Sequence, residues 1–259
     1  CLVCKRLMRW GFWMQQALDM VAEYLASGHY VRTRRDGRGR VQVLQGVDRK
    51  KDQSYVLHQL NQEQLAHSLF PVGDLNKGEV RKLAESLQIP SADRADSQDL
   101  CFLAGEDYRE FLLRYVPETK QPGPIRTRGG ENLGEHKGLA NYTIGQRKGL
   151  GIESTIPLYV IAKDMANNSL IVGREEELGS RDCLVKGINW IAGEPPGGSF
   201  RAEVKTRYTA RKAWAEVIPV EEGNIAMVKF DEVVRDITPG QAAVFYDGEI
   251  LLGGGEISD

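Results

Sequence analysis

From Phe200 to Arg207 the chain alternates strictly. Phe200, Ala202, Val204 and Thr206 interleave with Arg201, Glu203, Lys205 and Arg207. A period of two sends successive side chains to opposite faces of a strand, so one face is buried and the other is charged. Segments of the same kind recur at Leu184 to Trp190, Ala213 to Val220, Ile225 to Phe230, Ala242 to Tyr246 and Ile250 to Leu252. Asp247-Gly248 and Gly253-Gly254-Gly255 read as the last turns of the series. Short strands at this spacing predict a small β-barrel over 179–259.

The chain upstream is different. Leu7, Gly11, Met14, Leu18, Val21, Ala22 and Leu25 recur at helical spacing and predict a helix from about Lys5 to Ala22, with Trp10 and Trp13 as packing residues. Tyr24 to Ser27 reads as a short buried strand ended by Gly28. Gly28-His29-Tyr30 then sits at the carboxyl end of a strand, where α/β folds place ligands. A lone histidine there is either a hydrogen-bonded structural residue or a ligand contact, and the residues alone leave both open. Arg32 to Arg40 is expected as a basic hairpin loop, with Val41 to Val47 as the returning strand. Helices are expected from Gln62 to Leu69, capped by Asn61, and after Asn76, whose partner three residues on is Glu79. A further short helix carries Tyr108, Phe111, Leu112 and Tyr115.

Composition shifts near Pro117, and Gln121-Pro122-Gly123-Pro124 reads as a linker or tight turn. A hairpin of Leu158 to Ala162 and Ser169 to Val172 follows, turning near Asn167-Asn168. The glycine-rich loop Thr143 to Ile152 carries Arg147 and Lys148 but lacks the phosphate-binding P-loop spacing. The expected class is therefore α/β plus β in three parts: an α/β part over 1–105, a small β-rich part over 106–178 and the barrel.

No apolar run is long enough to span a membrane, and the first residues do not have the order of a signal peptide. Four cysteines in 259 residues are too few for a disulfide scaffold, which points to a reducing cytoplasm. The formal net charge of −2 is near neutral, but charge is unevenly spread. Arg32 to Lys51 holds eight Lys or Arg against Asp36 and Asp48, and Arg201 to Lys212 holds five against Glu203. Glu216 to Asp259 holds ten acids against Lys229 and Arg235. A polyanion could be held by the first two stretches and excluded by the third; solvated surface is the alternative.

The thiols have distinct settings. Cys1-Leu2-Val3-Cys4 precedes Lys5, Arg6 and Arg9, cations that favour a thiolate. With no second C-x-x-C pair, a structural zinc site is not expected. Cys101 lies between the polar run Asp96-Ser97-Gln98-Asp99 and Phe102. On that stretch alone it is either an inert core residue or a reactive thiol.

These pieces together resemble the tRNA-specific 2-thiouridylases of the MnmA type over nearly the whole chain. The resemblance rests on Cys1 to Arg6, Ala26 to Tyr30, Lys51 to Tyr55, Leu69 to Gly73, Asp96 to Phe102, Thr143 to Ile152, Thr238 to Gln241 and Gly253 to Gly255. It implies the C-terminal part of a PP-loop α/β domain (adenine nucleotide alpha hydrolase-like), a central domain and a C-terminal β-barrel. It implies ATP-dependent sulfur transfer to C2 of the tRNA wobble uridine, with adenylation of the C2 oxygen, Mg beside ATP, and a persulfide supplied by a sulfur-donor protein. By motif position Cys101 resembles the persulfide carrier, and Cys4 the nucleophile that closes a disulfide with it. Gly28 would contact the nucleotide. His29, Lys51, Asp52, Gln53, Arg207, Tyr208 and Gln241 would contact tRNA.

Two departures open alternatives. Cys1 stands where some family members carry an acid, so Cys1, Cys4 and Cys101 could instead ligate an iron–sulfur cluster. The family's Ser-Gly-Gly-x-Asp-Ser-type ATP loop, which lies upstream of the C-x-x-C segment, is absent, and the first residue is not methionine. The expectation is then a fragment inactive by itself, or a non-catalytic tRNA-binding remnant.

Overall fold

The computed structural model describes residues 2–90, 92, 103, 105–220, 223–235 and 237–258. Cys1 and Cys101 lie outside the described residues, as does most of the 91–102 stretch. The described residues of 1–96, 181–232 and 237–259 form one compact unit, and those of 97–180 and 233–236 a second.

The first unit begins with consecutive helical runs Leu2–Cys4, Lys5–Trp13 and Met14–Asp19, the middle one wound with wide π-type turns. The Met14 N–H accordingly reaches back to the Arg9 carbonyl. This winding changes the buried face. Trp10 and Met14 are buried, whereas Leu7 and Val21 of the expected face are exposed. The helix stops at Asp19, and Val21 takes a positive φ of 63°, a conformation costly for a β-branched residue. Strand β1 (Leu25–Ala26) follows, then β2 (Val31–Arg35) and β3 (Val41–Gln45), an antiparallel hairpin.

Helix α1 (Gln62–Ala66) is shorter than its apolar pattern predicts. Ser68–Leu69 leaves it to form β4, which pairs in parallel with β1. The Ser68 hydroxyl donates to the Gln64 carbonyl and accepts from Trp10 Nε1, which ties the helix end to the strand. Helix α2 (Lys77–Ser86) carries the expected capping box, with Asn76 and Glu79 bonded reciprocally; α1 has the same device in Asn61 and Gln64. Such caps contribute about 1 kcal/mol each.

The second unit holds α3 (Tyr108–Tyr115) and a four-stranded sheet. Its strands are β5 (Gly123–Thr127), β6 (Asn132–His136), β7 (Tyr159–Asp164) and β8 (Ser169–Gly173), in spatial order β6-β5-β8-β7. Ile125, Leu139, Tyr142, Leu150, Val160, Leu170 and Val172 form its core. The β7–β8 hairpin turns at Asn167-Asn168 as expected, with Asn168 at φ 45°. His136 is fully buried; its Nδ1 accepts from the Gly138 N–H and its Nε2 donates to the Asn168 carbonyl.

The remaining strands are β9 (Ser180–Trp190), β10 (Phe200–Lys205), β11 (Ala213–Val220), β12 (Ile225–Val234), β13 (Ala242–Asp247) and β14 (Ile250–Ser258). The order β13-β10-β11-β12-β9-β14, closed by the β13–β14 pairing, is a six-stranded barrel. Closure removes the exposed edges that an open sheet would present. Ala202, Val204 and Thr206 are buried, as their alternation requires.

Two features differ from the sequence expectation. Gly253-Gly254-Gly255 is no turn but the middle of β14. A Cβ at Gly253 would lie 2.5 Å from the Asn189 carbonyl oxygen, and one at Gly255 2.5 Å from that of Lys186. Hairpin β2–β3, read from sequence with the α/β part, adds to the barrel sheet instead, pairing Leu44 with Ile250 and Val43 with Leu251. Strand β13 is buried on both faces. Phe245 stacks on Trp190 with ring centroids 5.5 Å apart, while Ala242, Val244 and Tyr246 join a core with Trp10, Met14, Val31, Val43, Tyr55 and Leu57.

The glycine run gives a direct test. Gly255→Ala is expected to lower unfolding free energy by about 1–3 kcal/mol, the usual cost of overpacking, read from urea denaturation. Gly37→Ala, whose added Cβ meets nothing within 4 Å, should stay within about 0.5 kcal/mol of the parent. Equal stabilities for the two variants would contradict the packing described for β14.

Candidate functional site

Cys4 carries a free, exposed thiol at the start of the π-wound run. Lys5 and Arg9 stand beside it, one wide turn apart. Burial pushes the Lys5 ammonium down to about 8; the Arg9 charge acts in the same direction and Cys4 in the opposite one. Arg9 Nη1 donates to the Ser27 hydroxyl at 3.4 Å, and that hydroxyl shares a 2.7 Å hydrogen bond with His29 Nδ1. The Trp10 ring lies 5.4 Å from the imidazole. His29 is buried, and burial, Lys5 and Arg9 together push it down to about 3. It is therefore a neutral ring at neutral pH, and the Cys4 thiol lies beside the Lys5 and Arg9 cations.

Gly28 lies between Ser27 and His29, just past β1. It is exposed, and a Cβ there would meet nothing within 4 Å. Among the described residues, the carboxyl ends of parallel strands β1 and β4 thus open onto free space beside Gly28, with Arg9 and Lys5 nearby. This is the position at which parallel α/β sheets take ligands.

A second neighbourhood is joined to the first through Tyr30 and Gln53. The Tyr30 N–H donates to Gln53 Oε1 at 3.1 Å, and the Gln53 N–H donates to the Tyr30 carbonyl at 3.0 Å. Next to Gln53, Asp52 is buried and its carboxylate is fully occupied. Oδ1 accepts from the Gly46 and Ser54 N–H groups, Oδ2 from Gln45 Nε2 and the Ser54 hydroxyl. That hydroxyl also bonds the Tyr246 hydroxyl of the barrel at 3.1 Å. Tyr55 donates to the Ala242 carbonyl and meets Tyr208 edge to face, with centroids 6.0 Å apart. Arg207 Nη2 donates to the Thr238 hydroxyl at 2.6 Å, and Gln241 closes the Thr238 turn through its N–H.

The structure therefore brings Lys51, Asp52, Gln53, Arg207, Tyr208 and Gln241 into one neighbourhood and links it to Gly28 and His29. Within it Asp52 has an internal role, since burial and four donors leave its carboxylate no free oxygen lone pair facing outward. Tyr208 and Gln241 are exposed. Cys101 and Cys1 lie outside the described residues. Cys183 is buried, and burial with the neighbouring Asp182 charge pushes its thiol up to about 12, which makes it inert.

The basic stretches are partly spent inside the fold. Arg32 and Arg49 both grip Glu249, at 2.6 and 2.9 Å. Arg40 pairs with Asp36, Arg201 with Asp231, and Lys212 with Glu203. Sequence reasoning missed Lys205 and Tyr55 as site residues. Strand alternation placed Lys205 outward, but only the fold sets it against Tyr55.

Three family models match in succession. Residues 1–105 match the tRNA methyl transferase HUP domain, 109–174 the tRNA methyl transferase PRC-barrel domain, and 180–257 the aminomethyltransferase beta-barrel domain. The tRNA-specific 2-thiouridylase MnmA of Yersinia enterocolitica is 45% identical over the entire chain, which spans 70% of that relative. The enzyme of Proteus mirabilis is 46% identical over 99% of the chain, which spans 71% of it. MnmA 1 of Caldanaerobacter subterraneus is 43% identical over 99% of the chain, with 71% of the relative spanned. The chain belongs to the tRNA-specific 2-thiouridylase family. That membership makes it a family of tRNA sulfurtransferases in which the HUP, central and barrel regions are all represented here.

The buried histidines set a pH dependence. His29 and His58 have native values of about 3 and about 4, against an ordinary value of 6.5. Between those limits the unfolded chain binds the extra protons, so stability rises with pH there and is lost as pH falls below about 6.5. Going from pH 7 to pH 5 is expected to cost about 2 kcal/mol for each ring. Urea midpoints at the two pH values measure this, and His29→Asn should remove its own share. A midpoint that does not move over that interval would refute the neutral buried assignment.

Proposed function

We propose that this protein carries out 2-thiolation of the wobble uridine of tRNA, with ATP as co-substrate and a cysteine persulfide as the immediate sulfur source. The supporting observation is the reciprocal hydrogen bonding of Tyr30 and Gln53, one bond backbone to backbone and one to the Gln53 side chain, which joins the Cys4–His29 cluster to the Lys51, Arg207, Tyr208 and Gln241 surface. A base docked on that surface is thereby within the same unit as the thiol.

The residues present fit a nucleotide edge: Gly28 leaves open space at the carboxyl end of β1, and Lys5 and Arg9 supply positive charge. ATP, when bound, supplies adenylation of the C2 oxygen, converting a poor leaving group into AMP. The chain's own chemistry is thiol exchange. The Cys4 thiolate attacks the inner sulfur of a Cys101 persulfide, the Cys4–Cys101 disulfide forms, and the terminal sulfur leaves as hydrosulfide to replace the activated oxygen at C2. The disulfide must then be reduced, and a sulfur-donor protein must reload Cys101. His29, neutral and held by Ser27, packs beside the site without competing as a charge.

The iron–sulfur alternative needs Cys1 and Cys101 beside Cys4, and both lie outside the described residues. Among the described residues no helix is long and apolar enough to cross a membrane, and the free thiols of Cys4 and Cys183 fit work in a reducing cytoplasm.

The test is formation of 2-thiouridine, by mass spectrometry, from unmodified tRNA with ATP and sulfide, using the protein encoded by the full reading frame. Cys4→Ser is expected to lose more than roughly 10³-fold in rate when a protein persulfide is the donor. Cys101→Ser should fail with the protein donor and recover with free sulfide. If both variants keep parent activity, the thiol assignment is wrong. Tight tRNA binding without product would make the protein a tRNA-binding module.

A further inference from the structure

Resting on the tRNA reading above, we infer that Lys205 is a substrate-binding residue that contacts a phosphate of the tRNA backbone, held for that purpose on a shelf of Tyr55 and Tyr208. The inference starts from how the cations of the two basic stretches are used. Arg32, Arg40, Arg49, Arg201 and Lys212 each engage a carboxylate of the fold. Lys205 does not: among the described residues its ammonium makes no hydrogen bond and no ion pair.

Its surroundings explain why. The ammonium lies 5.9 Å from the centre of the Tyr55 ring and 5.5 Å from that of Tyr208. Ring faces attract a cation but accept none of its N–H donors in the way an oxygen does. The carboxylate that acts on Lys205 is Asp52, and both its oxygens are already taken by Gly46, Ser54 and Gln45. Lys212, the other charge acting on it, repels it and is itself paired with Glu203. The side chain is half-buried, so its ammonium is incompletely hydrated. It is held in place while its donors remain unspent.

The shelf is rigid on one side and open on the other. Tyr55 is buried and its hydroxyl is bonded to the Ala242 carbonyl. Tyr208 is 40% exposed, so part of its ring is available to a base or ribose. A compact cation with free donors beside an exposed aromatic ring matches a phosphate flanked by a base, the repeating unit of a single-stranded RNA loop. Arg207 and Lys51 lie in the same neighbourhood, so the phosphate contact is continuous with the rest of the proposed tRNA surface.

The test measures binding of unmodified tRNA to the chain across a salt series. Lys205→Met, which keeps the aliphatic packing, is expected to weaken binding about tenfold at low salt and to reduce the slope of log K against log salt by about 1, the signature of one lost phosphate contact. Lys205→Arg should restore most of both. Arg201→Met, which removes a cation already paired with Asp231, should leave the slope unchanged. Thermal melting of each variant separates a role in the shelf alone. If Lys205→Met melts earlier yet keeps the parent slope, Lys205 is a structural cation and the inference fails. If Arg201→Met and Lys205→Met change binding equally, the effect is general charge and the inference also fails. A parent that binds tRNA with no salt dependence would remove the tRNA reading itself, and this inference with it.

Discussion

One edge of β14 is shared between two strands, and the rest of the first unit depends on that arrangement. One edge pairs with β13 along its length and closes the barrel. The other is taken by β3 at Ile250 and Leu251 and by β9 from Gly253 onward. The switch between partners requires the strand to bulge and pass close to neighbouring carbonyls, which only residues without a Cβ permit. Gly253, Gly254 and Gly255 occupy that stretch. Hairpin β2–β3 is thereby fastened to the barrel, and the chain entering β2 is Gly28-His29-Tyr30. Barrel closure and the position of the thiol site are one constraint.

A second dependence is electrostatic. Buried polar groups are tolerated where every donor and acceptor is met. Asp52 meets that demand with four donors, and through Ser54 and Tyr246 it fastens the Lys51–Tyr55 loop to the barrel. The carboxylate spends its capacity inward, and among the described residues the adjacent Lys205 on β10 has no hydrogen-bond or ion-pair partner. Glu249 works the opposite way, holding Arg32 and Arg49 together and drawing them from the pool of cations open to a ligand. The charge a basic stretch offers is what remains after such internal pairing.

Around Cys4 the same accounting leaves positive charge beside the thiol. Lys5 and Arg9 lie beside the thiol, and burial, reinforced by their fields, keeps His29 uncharged. A protonated imidazole there would add a third cation to a half-buried cluster. A neutral ring bonded to Ser27 instead packs against Trp10 and leaves the local positive charge on the helix, one turn from the sulfur.

The sequence by itself determined the barrel, the capped helices, the β7–β8 hairpin and the family, because each is written in local terms: alternation with period two, an Asn followed three residues later by Glu or Gln, paired asparagines, and motifs in order. Through the family resemblance it also put forward Cys4, Cys101, Gly28, His29, Lys51, Asp52, Gln53, Arg207, Tyr208 and Gln241 as candidate site residues. It did not show that Gly253 to Gly255 run inside a strand, because glycine marks a turn and a crowded strand alike. It placed Leu7 and Val21 on the buried face of the first helix, because spacing was read at 3.6 residues per turn and the π-wound turns brought in Trp10. Only the tertiary structure decided that Asp52 faces inward and that Lys205 lies between Tyr55 and Tyr208. Lys205 and Tyr55 are far apart in the chain, and the donors to Asp52, though near it in sequence, converge only when β3 and the loop after it fold together; a side chain's free hydrogen-bonding capacity is settled by which neighbours the fold delivers.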